Sequence, residues 1–594
     1  MLSKKRMMVL ILPALLAAVV GLSSCNVSPD RSPKVSSDWS RGLRLGHGYL
    51  NQPVALAVDE AQTVHLAWCG WGEDGSSRLH YVSLDRRGRV TVEHDLDIPV
   101  SRPSRPQLLF DGAGRLHLAW IANSDGEDSL YHAMIGPGGE VTAGPQRLPP
   151  AEHELDRFQL YRDAVGQAAV VWANIAKSGP GIYQLTVDEN GNPLGQAVLV
   201  APDGHTPTAQ VDNAGTLHLM WLKGIAYAQE ALYYAAFPHS QIAPVSGIQL
   251  TELIVEQGLL LEGPRLGLDT GHVYAFWSIE RRGGGLEGPR AEAWYLSFPV
   301  NDPTANIRHK IDLPATSQPD YTAHQGPYNY SRLSYLPPGQ TIYGSDFVYM
   351  PAVVTGQREE LPVMFIVMLR TRTEVLPQPV LAVFADGQLK GYQLVALTKS
   401  LSTQPSIAAD SNAGLHAAWA DLAGAWDFEI YYATTAPAAA AWLNRTSSAD
   451  ILDGALALGL SMLSGIGLIP LTGVWILPAL IWLVTYYAVT GQDDLALRKP
   501  KIGLGIGALI YLLAKLVFVP SFLLYVPGLD QLPERWHNLV ILGVPLLILS
   551  IALGAVKIYW RRSERPTLFP AFFVLILCDA ALTLLVYSPG IFPR

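Results

Sequence analysis

The stretch Gln210-Val-Asp-Asn-Ala-Gly-Thr-Leu-His-Leu-Met-Trp221 is written again and again along the chain, and a repeat of this kind leaves few folds open. Asp111…Gly114…His117…Trp120 and Asp410…Gly414…His416…Trp419 repeat it. Asp59…His65…Trp68 keeps the spacing without the glycine, and Asp163…Trp172 and Asp269…Gly271…Trp277 are looser copies. Each copy reads as a strand, a tight turn at Asp/Gly, and a second strand ending on tryptophan. The tryptophans at 68, 120, 172, 221 and 277 are separated by 52, 52, 49 and 56 residues. Trp419 lies 142 further on, room for one more unit and an insertion.

A period near fifty with several short strands per unit predicts an all-β propeller, of seven blades with six as the alternative count. The unit without the motif is Phe347 to Thr398, where Leu361-Pro-Val-Met-Phe-Ile-Val-Met and Val380-Leu-Ala-Val-Phe still read as strands. The propeller is expected over 42–435, with a Tyr-, Pro- and Gln-rich insertion at about 315–345. After Ile430-Tyr-Tyr-Ala the chain leaves without a fourth strand, so the segment from Gly42 to Pro53 is expected to supply it and close the ring.

The motif residues have structural explanations. His and Trp are three apart on a strand and face opposite sides of the blade. The histidines, on different blades, read as posts bonding to a turn, the tryptophans as packing between blades, and Asp and Gly as turn chemistry. Asp-x-x-Gly-x-x-His-x-x-Trp in such a fold resembles the sialidase-related bacterial repeat proteins, whose Asp-box is Ser-x-Asp-x-Gly-x-x-Trp. The leading Ser is absent here and the Asp–Gly spacing differs, so over about residues 50–435 the resemblance is one of architecture. The family's catalysis is not carried over. A sialidase's three carboxylate-gripping arginines and its tyrosine–glutamate pair cannot be assigned by spacing.

Compartment is written at the two ends. Met1-Leu-Ser-Lys-Lys-Arg6, an apolar run from Met7 to Val20, and Leu22-Ser-Ser-Cys25 compose a signal peptide over 1–25 that resembles a lipoprotein's, with Cys25 the lipidation site. Residues 26–41 read as a tether. The other cysteines are Cys69 and Cys578, which leaves no disulfide framework. Residues 436–450 read as a linker and 451–590 as an α-helical membrane domain of about five segments, over 451–469, 471–490, 502–526, 537–558 and 567–588. The basic loops Arg498-Lys-Pro-Lys501 and Arg561-Arg-Ser-Glu-Arg565 fall on the cytoplasmic side if the first segment does not fully span, giving four crossings instead of five. Lys515 and Asp579 lie midway through their segments at similar depth, where an isolated charge is costly, and are expected to pair.

A net charge of −9 supplies no basic stripe and argues against nucleic acid as a partner. The expected partners are the bilayer and a glycan or extracellular protein, with the propeller on the outer face of a bacterial cytoplasmic membrane. Connections after each Trp and before each starting Pro emerge on one face. They carry Trp71, Glu73, Asp74, Asp125, Arg281, Trp426 and Asp427, with Arg102 and Arg105 before Pro106 and Arg265 after Pro264. These ten residues are the expected ligand-binding rim. No cofactor is expected, and no metal, since Asp125-Gly-Glu-Asp128 lacks the spacing of a calcium loop. The leading expectation is a non-catalytic, membrane-fixed binder. The alternatives are a sialidase-like glycoside hydrolase or lyase, and a membrane sensor or transporter component resting on Lys515 and Asp579.

Overall fold

The computed structural model describes residues 31–591, except 50–51, 73–74, 99–101, 125–126, 149–154, 176–178, 239–243, 282–289, 314–340, 343–346, 371–374, 425–426, 447, 467–468 and 519–533. The signal segment, Cys25 and most of the insertion at 315–345 therefore lie outside the described residues. The chain divides into a unit of Pro29–Arg445 and a second comprising Thr446–Arg594 with the first 28 residues.

Residues 31–445 form a seven-bladed propeller, each blade an antiparallel sheet of at least four strands. The second blade runs Pro103–Phe110, Leu116–Ser124, Glu127–Ile135 and Val141–Arg147 from channel to rim, and the others follow its pattern. In the last blade, Ser402–Ala409, Leu415–Leu422 and Asp427–Thr434 come from the C-terminal end of the domain, and the outer strand is Leu43–Tyr49. That pairing, Leu43 opposite Tyr432 through Tyr49 opposite Asp427, joins the ends of the ring non-covalently.

Alternation along each second strand explains the motif. Trp120 is buried on one side, packed with Ala55, Leu79 and Tyr81 of the preceding blade. Trp68, Trp172, Trp221, Trp277 and Trp419 sit the same way, and each blade interface has its own apolar cluster. The partner on the third strand backs the indole: Tyr131, Tyr233 and Tyr431 stack at centroid distances of 5.8, 5.8 and 5.7 Å. In the sixth blade Phe365 takes the tryptophan's place and meets Phe276 and Phe384 in an aromatic cluster. On the opposite side of the strand, His218 Nδ1 meets Tyr234 OH at 2.8 Å and Nε2 meets Asp212 Oδ2 at 3.2 Å. Asp212 Oδ1 also accepts from the backbone N–H of Ala214 and Thr216, so one carboxylate fixes the turn and anchors the histidine. His416 repeats this with Tyr432 and Asp410, and His117 with His132 and Asp111. The histidines are held within separate blades, and burial lowers the pKa of His218 and His117 despite the neighbouring aspartates.

Both segments flanking the propeller pack on it. Of the expected tether, Trp39 is fully buried with Leu381, Leu415 and Trp419, a placement that a lone tryptophan in a Ser-rich stretch does not announce. The expected linker opens with helix α1 (Pro437–Leu443), whose Leu443 is buried with Val64 and Leu84.

The C-terminal unit contains α2 (Ser448–Ile466), α3 (Ile469–Thr490), α4 (Arg498–Phe518), α5 (Glu534–Arg562) and α6 (Leu568–Ile591). Three of these, over 472–490, 539–562 and 568–588, are long and apolar enough to cross a membrane.

Candidate functional site at the mouth of the channel

The seven inner strands line a central channel, and most carry one extra residue relative to the strand behind. The register slips between Ser104 and Gln107, His205 and Thr208, Glu262 and Arg265, Tyr349 and Ala352, and Thr403 and Ser406. The cause lies in the sequence, where a proline follows the bulged residue and removes a ladder donor. Arg105, Thr206, Met350 and Gln404 adopt left-handed φ of 52°, 50°, 54° and 49° at these bulges, an architectural feature repeated around the mouth. Arg157 holds the corresponding place in the third blade and Gly263 in the fifth.

Two residues deeper, a second layer ties the strands together. Gln107 Nε2 donates to Phe158 O and its Oε1 accepts from Leu160 N, both at 2.8 Å. Gln159 bridges to Ala209 in the same way, and Thr208 Oγ1 accepts from Leu266 N at 3.2 Å. In the fifth blade this layer is occupied by Arg265, which is exposed to the channel lumen and enclosed by the surrounding strands.

Charge therefore converges at the mouth. Arg157 Nη1 lies 3.1 Å from Glu262 Oε2. Enclosure, and then the nearby Arg157 and Arg105 charges, pull the Arg265 guanidinium down to about 10, with Glu262 opposing them. Three arginines thus act on one another here, with the Glu262 carboxylate between Arg157 and Arg265. Low-dielectric walls lined by one sign of charge concentrate the field, so the mouth is a cation-rich spot on a chain of net charge −9. Beside it, Arg157, Thr206, His205 and Glu230 border a recess of about 380 Å³. His205 Nε2 meets Glu230 Oε2 at 2.9 Å, and its Nδ1 meets Thr206 Oγ1 at 3.0 Å.

The expected rim is not one site. Arg265 is an inner-strand residue within the channel, where the Gly263-Pro264 bulge carries it, not a loop residue on the rim. Arg105 acts on it electrostatically, and Arg157 and Glu262 stand nearby, with His205 and Glu230 on the adjoining recess; the sequence does not single out these last four, because charged residues inside strands give no spacing signal. Trp71 and Arg102 line a separate cavity between the first and second blades. Arg281 faces Glu256 at 3.9 Å, and Asp427 faces His47 at 3.5 Å on the last blade. Glu73, Asp74, Asp125 and Trp426 lie outside the described residues. Among the described residues no group of three His, Cys, Asp or Glu is placed to hold a metal.

In the helical unit the structure brings Lys515 of α4 to Asp579 of α6, with Nζ 2.5 Å from Oδ2. Tyr511 OH donates to the same oxygen at 2.7 Å, and Lys515 Nζ donates to Thr583 Oγ1 at 2.7 Å.

No family model matches the chain, and no curated protein matches it. Among solved structures, it is similar to a polysaccharide lyase, an ulvan lyase bound to -[GlcA(1-4)Rha3S]-, at 9% identity and a TM-score of 0.43 over 65% of this chain and 94% of that one. It is also similar to an α-L-arabinofuranosidase from Fusarium graminearum in complex with an iminosugar inhibitor, at 9% identity and a TM-score of 0.33 over 66% and 97% of the two chains. A thermostable family-43 glycoside hydrolase matches at 12% identity and a TM-score of 0.30 over 47% and 95%. Likenesses of this degree carry no statement about chemistry.

Proposed function

We propose that the propeller is a membrane-fixed receptor for an acidic glycan, whose carboxylate or sulfate docks at the channel mouth on Arg105, Arg157 and Arg265. The observation that carries this reading is the arginine-rich neighbourhood of Arg265: it lines the channel beside Glu262, Arg157 meets that carboxylate at 3.1 Å, and the Arg157 and Arg105 charges both act on Arg265. Planar guanidiniums match the two-oxygen geometry of carboxylate and sulfate, and a partly enclosed site strengthens the attraction. The helical unit would hold the receptor at the bilayer. The test is a glycan array probed with the full-length protein in detergent, followed by calorimetry. Uronate- or sulfate-bearing glycans should bind and neutral ones should not. Arg265→Gln should weaken binding at least about tenfold, the equivalent of one strong charged contact. Equal binding of neutral and acidic glycans overturns the reading.

One observation favours a catalytic version. The His205–Glu230 pair borders the same recess as Arg157, so an imidazole oriented by a carboxylate stands next to the anion site. Removal of the C5 proton of a bound uronate by His205, with the arginines neutralising its carboxylate, would form a C4–C5 double bond as the C4–O glycosidic bond breaks and the departing oxygen takes up a proton, which would make the protein a lyase. Appearance of an unsaturated product absorbing in the ultraviolet, lost in His205→Gln, would establish this version; intact glycan after prolonged incubation would leave the receptor.

A further inference from the structure

The repeat's own tryptophans, at 68, 120, 172, 221, 277 and 419, are buried to within a few per cent, but Trp71, at the end of the first blade's second strand, is 53% exposed. Its ring rests on Tyr49 at a centroid distance of 4.1 Å, so the indole is held in place without being covered. The cavity it borders is about 840 Å³, within the range of ligand sites, and Arg78, Asp97 and Arg102 stand around it. An open aromatic surface with a carboxylate and two guanidiniums around it matches a sugar ring: the apolar C–H face lies on the indole, and hydroxyls pair with the charged groups. Single exposed apolar residues are ordinary. Here the backing tyrosine, the cavity and the ring of hydrogen-bonding groups coincide.

The position of this cavity relative to the channel mouth adds the second half of the argument. Arg102 lines the cavity, and Arg105, three residues later, stands at the channel mouth. Three residues of strand span at most about 10 Å. Both are in the left-handed region, at φ of 49° and 52°, which curls the backbone and keeps the separation below that limit. The cavity and the arginine cluster are thus neighbouring stations on one face.

We infer that the Trp71 cavity is a second sugar subsite, and that the ligand is an acidic oligosaccharide long enough to reach from Trp71 to Arg265. This rests on the receptor reading above and adds to it a chain-length requirement. An acidic peptide could satisfy the arginines, but it offers no flat C–H face for the indole.

The experiment titrates full-length protein in detergent with heparan sulfate oligosaccharides graded by length, and with polyglutamate of matched charge. Affinity should rise with oligosaccharide length and then level off. Trp71→Ala should lower the affinity of the long oligomers about tenfold or more while leaving the shortest unchanged, and Trp71→Phe, which keeps a ring, should retain most of it. Arg265→Gln should weaken every length. Unchanged long-oligomer affinity in Trp71→Ala overturns the subsite while sparing the channel mouth. Unchanged affinity in Arg265→Gln, with a loss in Trp71→Ala, overturns the channel-mouth reading and the span to Arg265 while sparing the Trp71 subsite. Absence of binding at any length, or polyglutamate binding with equal affinity and equal sensitivity to Trp71→Ala, overturns both.

Discussion

At the scale of single residues, buried charges separate those that a sequence announces from those it hides. Lys515 and Asp579 interrupt apolar runs and are conspicuous. Their pairing follows because an isolated charge buried among apolar helices is costly, and Tyr511 and Thr583 complete the network. Lys515→Met or Asp579→Leu alone should cost about 3–5 kcal/mol and lower the yield of folded protein, while the double variant should recover much of it. Thermal stability in detergent measures this; additive losses would show that the two do not act as a pair. Asp421 is inconspicuous in sequence and just as buried. Desolvation pushes its carboxyl up to about 6; Ser402 Oγ, donating at 2.7 Å, works against the rise, and the Glu429 charge on the neighbouring strand adds to it. Arg44 pairs with Glu429 at 3.2 Å. An acid raised in the folded state is a liability once the unfolded chain ionises, so stability falls as pH climbs from about 4 to 6 and stays low above. Asp421→Asn should therefore stabilise the propeller at pH 8, by roughly 2–3 kcal/mol at 1.36 kcal/mol per unit, and change little below pH 4. Melting curves of both proteins at the two pH values decide it; an Asn variant that gains no more over the wild type at pH 8 than at pH 4 would contradict the assignment.

At the scale of elements, the strand Leu43–Tyr49 has the largest consequence for its length. It alone covers the edge of Asp427–Thr434, and its Arg44 neutralises Glu429. Deleting residues 40–50 should bare that edge, strand Glu429, and lower the propeller's melting temperature by several degrees or more. An unchanged melting temperature in scanning calorimetry would mean that the ring does not depend on this closure. The sixth blade shows how far a repeat can drift while its element survives. Trp becomes Phe365, and the Asp-turn and histidine post are gone. Burial of Val363, Phe365 and Val367 on one side still holds the strand in register. Propeller stability resides in the interfaces between blades, so an interface needs a bulky apolar residue more than it needs tryptophan.

At the scale of the whole molecule, the two units differ in the surface they present. Leu542, Leu546, Leu547 and Leu577 are each more than 60% exposed, a pattern that water disfavours and lipid satisfies. Cys25→Ala protein should stay with membranes through alkaline carbonate extraction. A chain carrying that substitution and ending at Arg445 should be released, since a spanning helix anchors far more firmly than one acyl chain. Release of the full-length Cys25→Ala protein would rule out anchoring by the helices. The sequence by itself determined the blade period, the turn chemistry, the closing segment, the apolar helices and the partners Lys515 and Asp579. Each is a local pattern: a periodicity, a punctuating Asp or Gly, or a charge where none belongs. Only the tertiary structure decided that Arg105, Arg157, Arg265 and Glu262 come near one another, and that Trp71 is exposed where the repeat's own tryptophans are buried. Those residues sit on ordinary strands up to 160 positions apart, from Arg105 to Arg265. What joins them is the closure of seven blades around one axis, with a proline bulge at the mouth turning side chains inward. That geometry is set by how the blades pack against one another, which no single stretch of chain contains.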